Sequence, residues 1–268
     1  MQGSSCQPMT TNKVYYRLIF DLLFSKPLCL LCGLPCSPGS QICTGCKTDL
    51  PWLQDHCIRC AEPLPKTSTE LLKPDEARRK QTNQSRINSQ KICGRCQKDP
   101  PAFDRTLAPF QYEEPIKQLI ATLKNKGRLD IIELAAELFT EHLRDRITQQ
   151  PPQLIVPVPL HRNRLYSRGY NQAAEWAERL SEKLDIPYDK RSCRRLINTP
   201  HQQGLSAAAR RKNLRHCFHI TSPLGVERVA IVDDVMTTGS TVNALAHKLK
   251  DAGVTHVEIW CFARTPAR

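Results

Sequence analysis

The stretch VAIVDDVMTTGST, Val229 to Thr241, constrains this chain more than any other. Four apolar, largely β-branched residues, Val229 to Val232, predict a buried strand. Two carboxylates, Asp233 and Asp234, stand at its C-terminal end, where open α/β sheets bind ligands. Met236 to Thr241 then turn into a helix. Gly239 permits the tight turn, and the amides of Thr238, Gly239, Ser240 and Thr241 converge on an anion at the helix start, with Thr and Ser hydroxyls as further donors. An ordinary strand, loop and N-cap needs neither two acids nor so many hydroxyls. Acids beside an anion cradle make sense if they accept from sugar hydroxyls while a phosphate lies one turn further on.

The surrounding pattern is one of alternating strands and helices. Strands are predicted at Thr106 to Tyr112, Leu154 to Pro159, Arg228 to Val232 and Val257 to Ala263. Helices are predicted at Glu114 to Lys126, Leu129 to Ile147, Asn171 to Leu184 and Ser240 to Ala252; in the first, Ile116, Leu119, Ile120 and Leu123 recur at helical spacing. This order predicts an α/β domain with a mostly parallel sheet, covering residues 100–268.

The other half of the chain is organised by cysteine. Four CxxC pairs, Cys29/Cys32, Cys43/Cys46, Cys57/Cys60 and Cys93/Cys96, account for eight of the 13 cysteines. Two intervening residues let both thiolates face one metal, and two pairs complete a tetrahedral Zn²⁺ site. The simplest arrangement joins the first two pairs on one ion and the last two on another; interleaved pairs, or a single zinc, also satisfy the spacing. Residues 29–99 therefore form a small zinc-binding module, interrupted by a polar insertion at 62–91 that reads as mobile. Cys36 is the one remaining cysteine placed to replace a ligand. Residues 1–28 are a lead-in whose Val14, Leu18 and Leu22 fall on one face of a short amphipathic helix. Arg17 and Asp21 interrupt its apolar run, so no stable membrane span is expected. Paired thiols without a signal peptide point to a reducing, cytoplasmic setting, with a peripheral position at the inner membrane as the alternative.

Net charge is +13 over 268 residues, and the excess is concentrated: between His161 and His216 there are 13 Lys/Arg against 5 Asp/Glu. Such a distribution favours an anionic partner. Arg194, Arg195, Arg210 and Arg211 are the candidate contacts to nucleic acid. Lys47, Arg59, Lys91, Arg95 and Lys98 surround the cysteines. Trp52 either offers a stacking face or caps the small core of the metal module.

Further motifs accompany the first. IVPVPLHRNRLYSRGYNQA puts Arg162, Arg164 and Arg168 ahead of Gly169, Tyr170, Asn171 and Gln172 after a strand; TPHQQGLSAAARRKNL supplies Gln202, Leu205, Ser206, Arg210 and Asn213. VPVP, RGYNQ, QxxLS, RxxNL and VDDVxTTGST, in this order behind CxxC pairs, resemble the ComF family, and the layout resembles its GntX type. VDDVxTTGST is similar to the phosphoribosyl-pyrophosphate (PRPP) signature of type I phosphoribosyltransferases. The resemblance implies that fold, a parallel sheet with helices on both faces behind a zinc-ribbon-like module. It implies PRPP or a related ligand, Asp233 and Asp234 on the ribose, and Thr237, Thr238, Gly239, Ser240 and Thr241 on the 5′-phosphate. Arg168, Gly169, Tyr170 and Asn171 would form the pyrophosphate loop, with Mg²⁺ offsetting ligand charge. Gln202, Arg210 and Asn213 would belong to a flexible loop that closes over the ligand. It further implies a role in DNA uptake during natural transformation or in the use of DNA as a nutrient, with single-stranded DNA and competence or DNA-processing proteins as partners. An active transferase on an unknown acceptor, or a PRPP-sensing regulator, are the alternatives. No stretch reads as a separate hood for a nucleobase, unless the cysteine module serves as one, so ligand binding is better supported than turnover.

Overall fold

The computed structural model describes residues 27–65, 91–197 and 217–266. The chain divides into two compact units, 1–49 and 50–268.

In the first unit a CxxC knuckle carries Cys29 and Cys32. Cys29 N donates to Leu34 O, and Gly33 N donates to Cys29 O at 2.9 Å. A short helix, α1 (Thr44–Thr48), carries Cys46 and is capped by Cys43, whose Sγ accepts from the Cys46 amide.

The larger unit is built on a parallel sheet. Its strands are β1 (Arg105–Leu107), β2 (Phe110–Gln111), β3 (Leu154–Pro157), β6 (Arg228–Met236) and β7 (His256–Arg264). The order is β1-β7-β6-β3, with β2 also pairing with β7. Every pairing in it is parallel. The single strand expected over Thr106 to Tyr112 is thus two, with Ala108 and Pro109 between them; proline lacks the amide needed to continue the ladder. Its helices are α2 (Gly94–Lys98), α3 (Ile116–Lys126), α4 (Leu129–Thr148), α5 (Arg162–Arg168), α6 (Gln172–Leu184) and α7 (Ser240–Asp251).

Strand residues alternate between the two faces. Val229, Ile231, Val257 and Ile259 pack with Val242, Leu245 and Leu249 of α7 on one side. On the other, Phe139 of α4 and Trp176 of α6 meet edge to face, and both contact sheet aromatics, Trp260 and Phe262 respectively. Burial on both faces explains why the strands read as continuous apolar runs.

The second cysteine quartet belongs to this larger unit. Cys57, Cys60 and Cys96 lie in the same core cluster as Leu53, Phe103 and Val257. The Thr106 amide of β1 donates to Ile58 O at 3.0 Å, and its hydroxyl donates to Arg59 O. Trp52 does not cap a separate metal-module core: it stacks between Phe110 and His142, 4.6 Å from each. The two ends of the polar insertion are held, Glu62 by Arg264 and Lys91 by Asp55. Its middle, 66–90, and the expected helix near Val14 lie outside the described residues. Among the described residues no helix is long and apolar enough to cross a membrane.

Candidate functional site

Strand β6 runs further than its apolar residues indicated. It continues through Asp233 and Asp234 to Met236, because β7 pairs alongside it as far as Met236 opposite Arg264. On its other flank the pairing stops early: β3 is matched only to Val232, and the chain leaves at Pro157 to Pro159. The C-terminal end of β6 is therefore paired on one side and open on the other. From β3 the chain moves outward, through α6, to Tyr188, which bridges Ile155, and then returns to β6. The β3–β6 gap is thus the point where the order of connections reverses, the place where open α/β sheets bind ligands.

The two acids stand in that gap. Each carboxylate also accepts a local amide, Asp233 Oδ1 from Asp234 N and Asp234 Oδ1 from Val235 N, both at 2.9 Å. Burial and then the neighbouring Asp234 push the Asp233 carboxyl well above the usual range. Asp234 is offset by Lys124 of α3, whose Nζ lies 2.6 Å from Oδ2. Gln172, 6% exposed, donates to the same oxygen at 3.3 Å and accepts from Arg168 Nη1 at 2.7 Å. Arg168, Gln172, Asp234 and Lys124 therefore form one polar chain. Lys124 carried no motif and was missed in the sequence; only the fold of α3 against the sheet end brings it here.

Beyond β6, Thr237 and Thr238 are exposed and lead into α7. Gly239 has φ +76°, a conformation that residues with a side chain rarely adopt, so a larger residue is strained there, although a Cβ would meet Met236 Cε only at ordinary contact, 3.4 Å. The Thr238 and Ser240 hydroxyls lie 2.8 Å apart. The N-cap residue of α7, a 12-residue helix, is Gly239 and makes no side-chain cap; the Ser240 amide donates to Thr238 Oγ1 at 3.3 Å, and the amides that follow it in the first turn are directed at the loop.

The segment after β3 is not a plain loop. Residues Arg162–Arg168 form α5, capped by the His161 ring accepting from Asn163 N. The helix ends at Gly169, φ +83°. Asn171 then caps α6, and its Nδ2 donates to Val158 O at 3.0 Å, which ties this turn to the end of β3. Tyr170 OH donates to Leu123 O of α3. Arg194 and Arg195 lie on β4 (Cys193–Arg195), which pairs antiparallel with β5 (Phe218–Ile220). Arg194 is exposed, whereas Arg195 is half-buried over the Phe218 ring. Together with Arg162, Gly169, Tyr170 and Lys190 they line a cleft of about 690 Å³. Gln202, Arg210, Arg211 and Asn213 lie outside the described residues.

The eight cysteines form the two quartets of the simplest pairing, Cys29, Cys32, Cys43 and Cys46, and Cys57, Cys60, Cys93 and Cys96. Within each, all sulfurs lie within 4.8 Å of one another. Cys32 and Cys43 Sγ are 3.7 Å apart, and Cys60 and Cys93 Sγ 3.6 Å. Zinc–sulfur bonds of about 2.3 Å in a tetrahedron place sulfurs about 3.8 Å apart, so the donor sets fit zinc. Within each quartet one thiol is favoured as thiolate at its neighbours' expense: hydrogen bonding from Cys60 lowers Cys57 to about 4 while Cys60 and Cys96 are raised, and, against burial, backbone amides and the Cys32 thiol lower Cys29 to about 6 while Cys32 and Cys46 are raised. Both knuckles follow the same design, with Gly33 and Ala61, at φ +72° and +53°, just after the second cysteine. His56 is partly buried beside Arg146, and burial lowers its pKa.

Fold and site together define a protein with a phosphoribosyltransferase-type domain joined to a double zinc ribbon. Models of these two families match residues 168–268 and 19–78, described as a phosphoribosyl transferase domain and a double zinc ribbon domain. Competence protein F of Haemophilus influenzae is 39% identical over 64% of this chain and 78% of its own length. DNA utilization protein YhgH of Escherichia coli K12 is 33% identical over 89% of this chain and 97% of its own. The chain belongs to the family of these two proteins, the ComF/GntX family. A purine phosphoribosyltransferase from Pyrococcus horikoshii is similar at a TM-score of 0.30 and 25% identity, over 50% of this chain and 72% of that one.

Proposed function

We propose that the chain binds PRPP with Mg²⁺ at the β3–β6 gap and acts in the uptake or use of DNA, with single-stranded DNA as its macromolecular ligand. The observation that carries the ligand reading is the adjacent pair Asp233 and Asp234 at the open end of β6, followed directly by the hydroxyl loop Thr237 to Thr241. Carboxylates accept from ribose hydroxyls, and the loop with the start of α7 takes the 5′-phosphate. Gly169 to Asn171 face the pyrophosphate, whose charge Mg²⁺ offsets; the hard carboxylate oxygens suit that ion. The DNA role is supported by the names of the relatives, competence protein F and DNA utilization protein. The basic cleft adds a physical reason, because Arg162, Lys190 and Arg194 lie along it, and Tyr166, on the same helix as Arg162, is 96% exposed. Cations that follow a phosphate backbone and an exposed ring that stacks a base are what sequence-independent single-strand binding requires. These roles belong in the cytoplasm.

Calorimetric titration with PRPP and Mg²⁺ tests the ligand. Asp233→Ala with Asp234→Ala should abolish binding, since each lost charged hydrogen bond costs about 1.5–3 kcal/mol. Wild-type affinity in that variant overturns the site. A second reading, turnover on an acceptor, is favoured by the intact acid pair; release of pyrophosphate in the presence of nucleobases tests it.

A further inference from the structure

Arg264 is the last residue of β7 and is 1% exposed. Its Nε donates to Cys60 O at 2.8 Å. Its Nη1 donates to Met236 O at 3.1 Å and also reaches Thr237 O and Thr265 O. Its Nη2 pairs with Glu62, two residues beyond Cys60. One buried guanidinium therefore holds the backbone of a cysteine of the second quartet and the backbone at the start of the hydroxyl loop. Arginine suits this place: its donors are fixed in a planar fork, and it stays charged.

The peptide plane gives this contact a consequence for the loop. In a trans peptide, C=O and the next N–H point in opposite directions. Arg264 draws the Thr237 carbonyl inward to itself and shares the Met236 carbonyl with the Thr265 amide. The N–H groups of Thr237 and Thr238, on the far side of the same two planes, are thereby turned away from Arg264. With the amides at the start of α7 they make up the donor set of the loop.

We infer that Arg264 is a positioning residue of the anion loop, and that through it the second cysteine quartet, when it holds zinc, is a structural part of the ligand site. Zinc fixes the Cys57–Cys60 knuckle, the knuckle and Glu62 fix the guanidinium, and the guanidinium fixes two loop peptides. Such coupling is reciprocal: what zinc does for the loop, a bound anion does for zinc.

The affinity arm rests on the phosphoribosyl reading; the exchange arm needs no ligand. The full zinc-loaded chain and Arg264→Lys are compared by hydrogen-exchange mass spectrometry. Lysine keeps a charge beside Glu62 but cannot span the same carbonyls. The amides of Thr265 and Asn243, which donate to Met236 O and Gly239 O at the two ends of the loop, should exchange at least about tenfold faster in the variant, as they should when a chelator strips the second quartet of wild type. Unchanged exchange in Arg264→Lys overturns the inference, whether or not stripping unfolds the chain. In the second arm, PRPP with Mg²⁺ should slow chelator-driven zinc release from Cys29→Ser/Cys32→Ser protein, which retains only the second quartet. Adding Arg264→Lys should remove that protection and weaken PRPP binding about tenfold. Equal protection with and without Arg264 overturns the coupling. Failure of wild type to bind PRPP sinks the phosphoribosyl reading instead, and leaves the exchange arm to decide the role of Arg264.

Discussion

Lys124 Nζ lies 2.6 Å from Asp234 Oδ2, and thereby places the end of α3 against the acid pair of β6. The two residues are 110 positions apart in sequence. The lysine offsets one of two adjacent carboxylates that would otherwise repel an anionic ligand.

Replacing Lys124 by Met should weaken PRPP binding about tenfold, the lower end of what a charge-assisted bond is worth, because both partners retain some solvent. Calorimetry at fixed ionic strength measures it. The loss should shrink as salt is raised, since part of it is long-range attraction. Unchanged affinity would show that Lys124 serves only the ligand-free fold.

Asp233→Asn should raise the melting temperature at neutral pH while abolishing or weakening ligand binding. The folded carboxyl titrates above its unfolded value of about 3.9 because burial, then Asp234, disfavour its charge. The folded state thus binds the proton more tightly, and its stability falls as pH rises from about 4 through the folded pKa. The gain from Asn should accordingly be largest at neutral pH and vanish as pH approaches 4. Thermal melts of both proteins across that range check the sign.

Purified protein should carry zinc at about two per chain, measured by elemental analysis. The two quartets should differ in what they hold up. Cys29→Ser/Cys32→Ser should lose one zinc and the fold of the first unit. Cys57→Ser/Cys60→Ser should also lower the main melting transition, since Cys57 and Cys60 are 0% and 1% exposed within the core of the larger unit. Structural-site binding energy is folding energy.

Binding to single-stranded DNA should be weak, independent of sequence and salt-dependent. Each phosphate neutralised contributes a slope of about −0.7 to the logarithm of affinity against the logarithm of salt. Charge reversal of the exposed Arg162 and Arg194 should flatten the slope and preserve the fold. Tyr166→Ala should cost about 1–3 kcal/mol with no change of slope, because stacking releases no counterions. Anisotropy titrations at several salt concentrations separate the two effects.

The sequence by itself determined the local designs. Apolar runs located β3, β6 and β7, because strands buried on both faces admit little else, and CxxC spacing located each knuckle. The acid pair and the hydroxyl loop were legible because their chemistry is contiguous along one strand, turn and helix. The tertiary structure decided what no local pattern encodes. Pairing with β7 extended β6 through its acids, and the early departure of β3 opened the gap beside them. The fold brought Lys124 to Asp234 and Arg264 to the backbone of Cys60 and Thr237. It also placed the second quartet in the core of the larger unit, since Ile58, Arg59 and Cys60 give their carbonyls to Thr106 and Arg264. The reason is common to all of these. A lone Lys or Arg, or a run of backbone carbonyls, has no sequence signature; its role exists only once buried polar groups distant in sequence must satisfy one another.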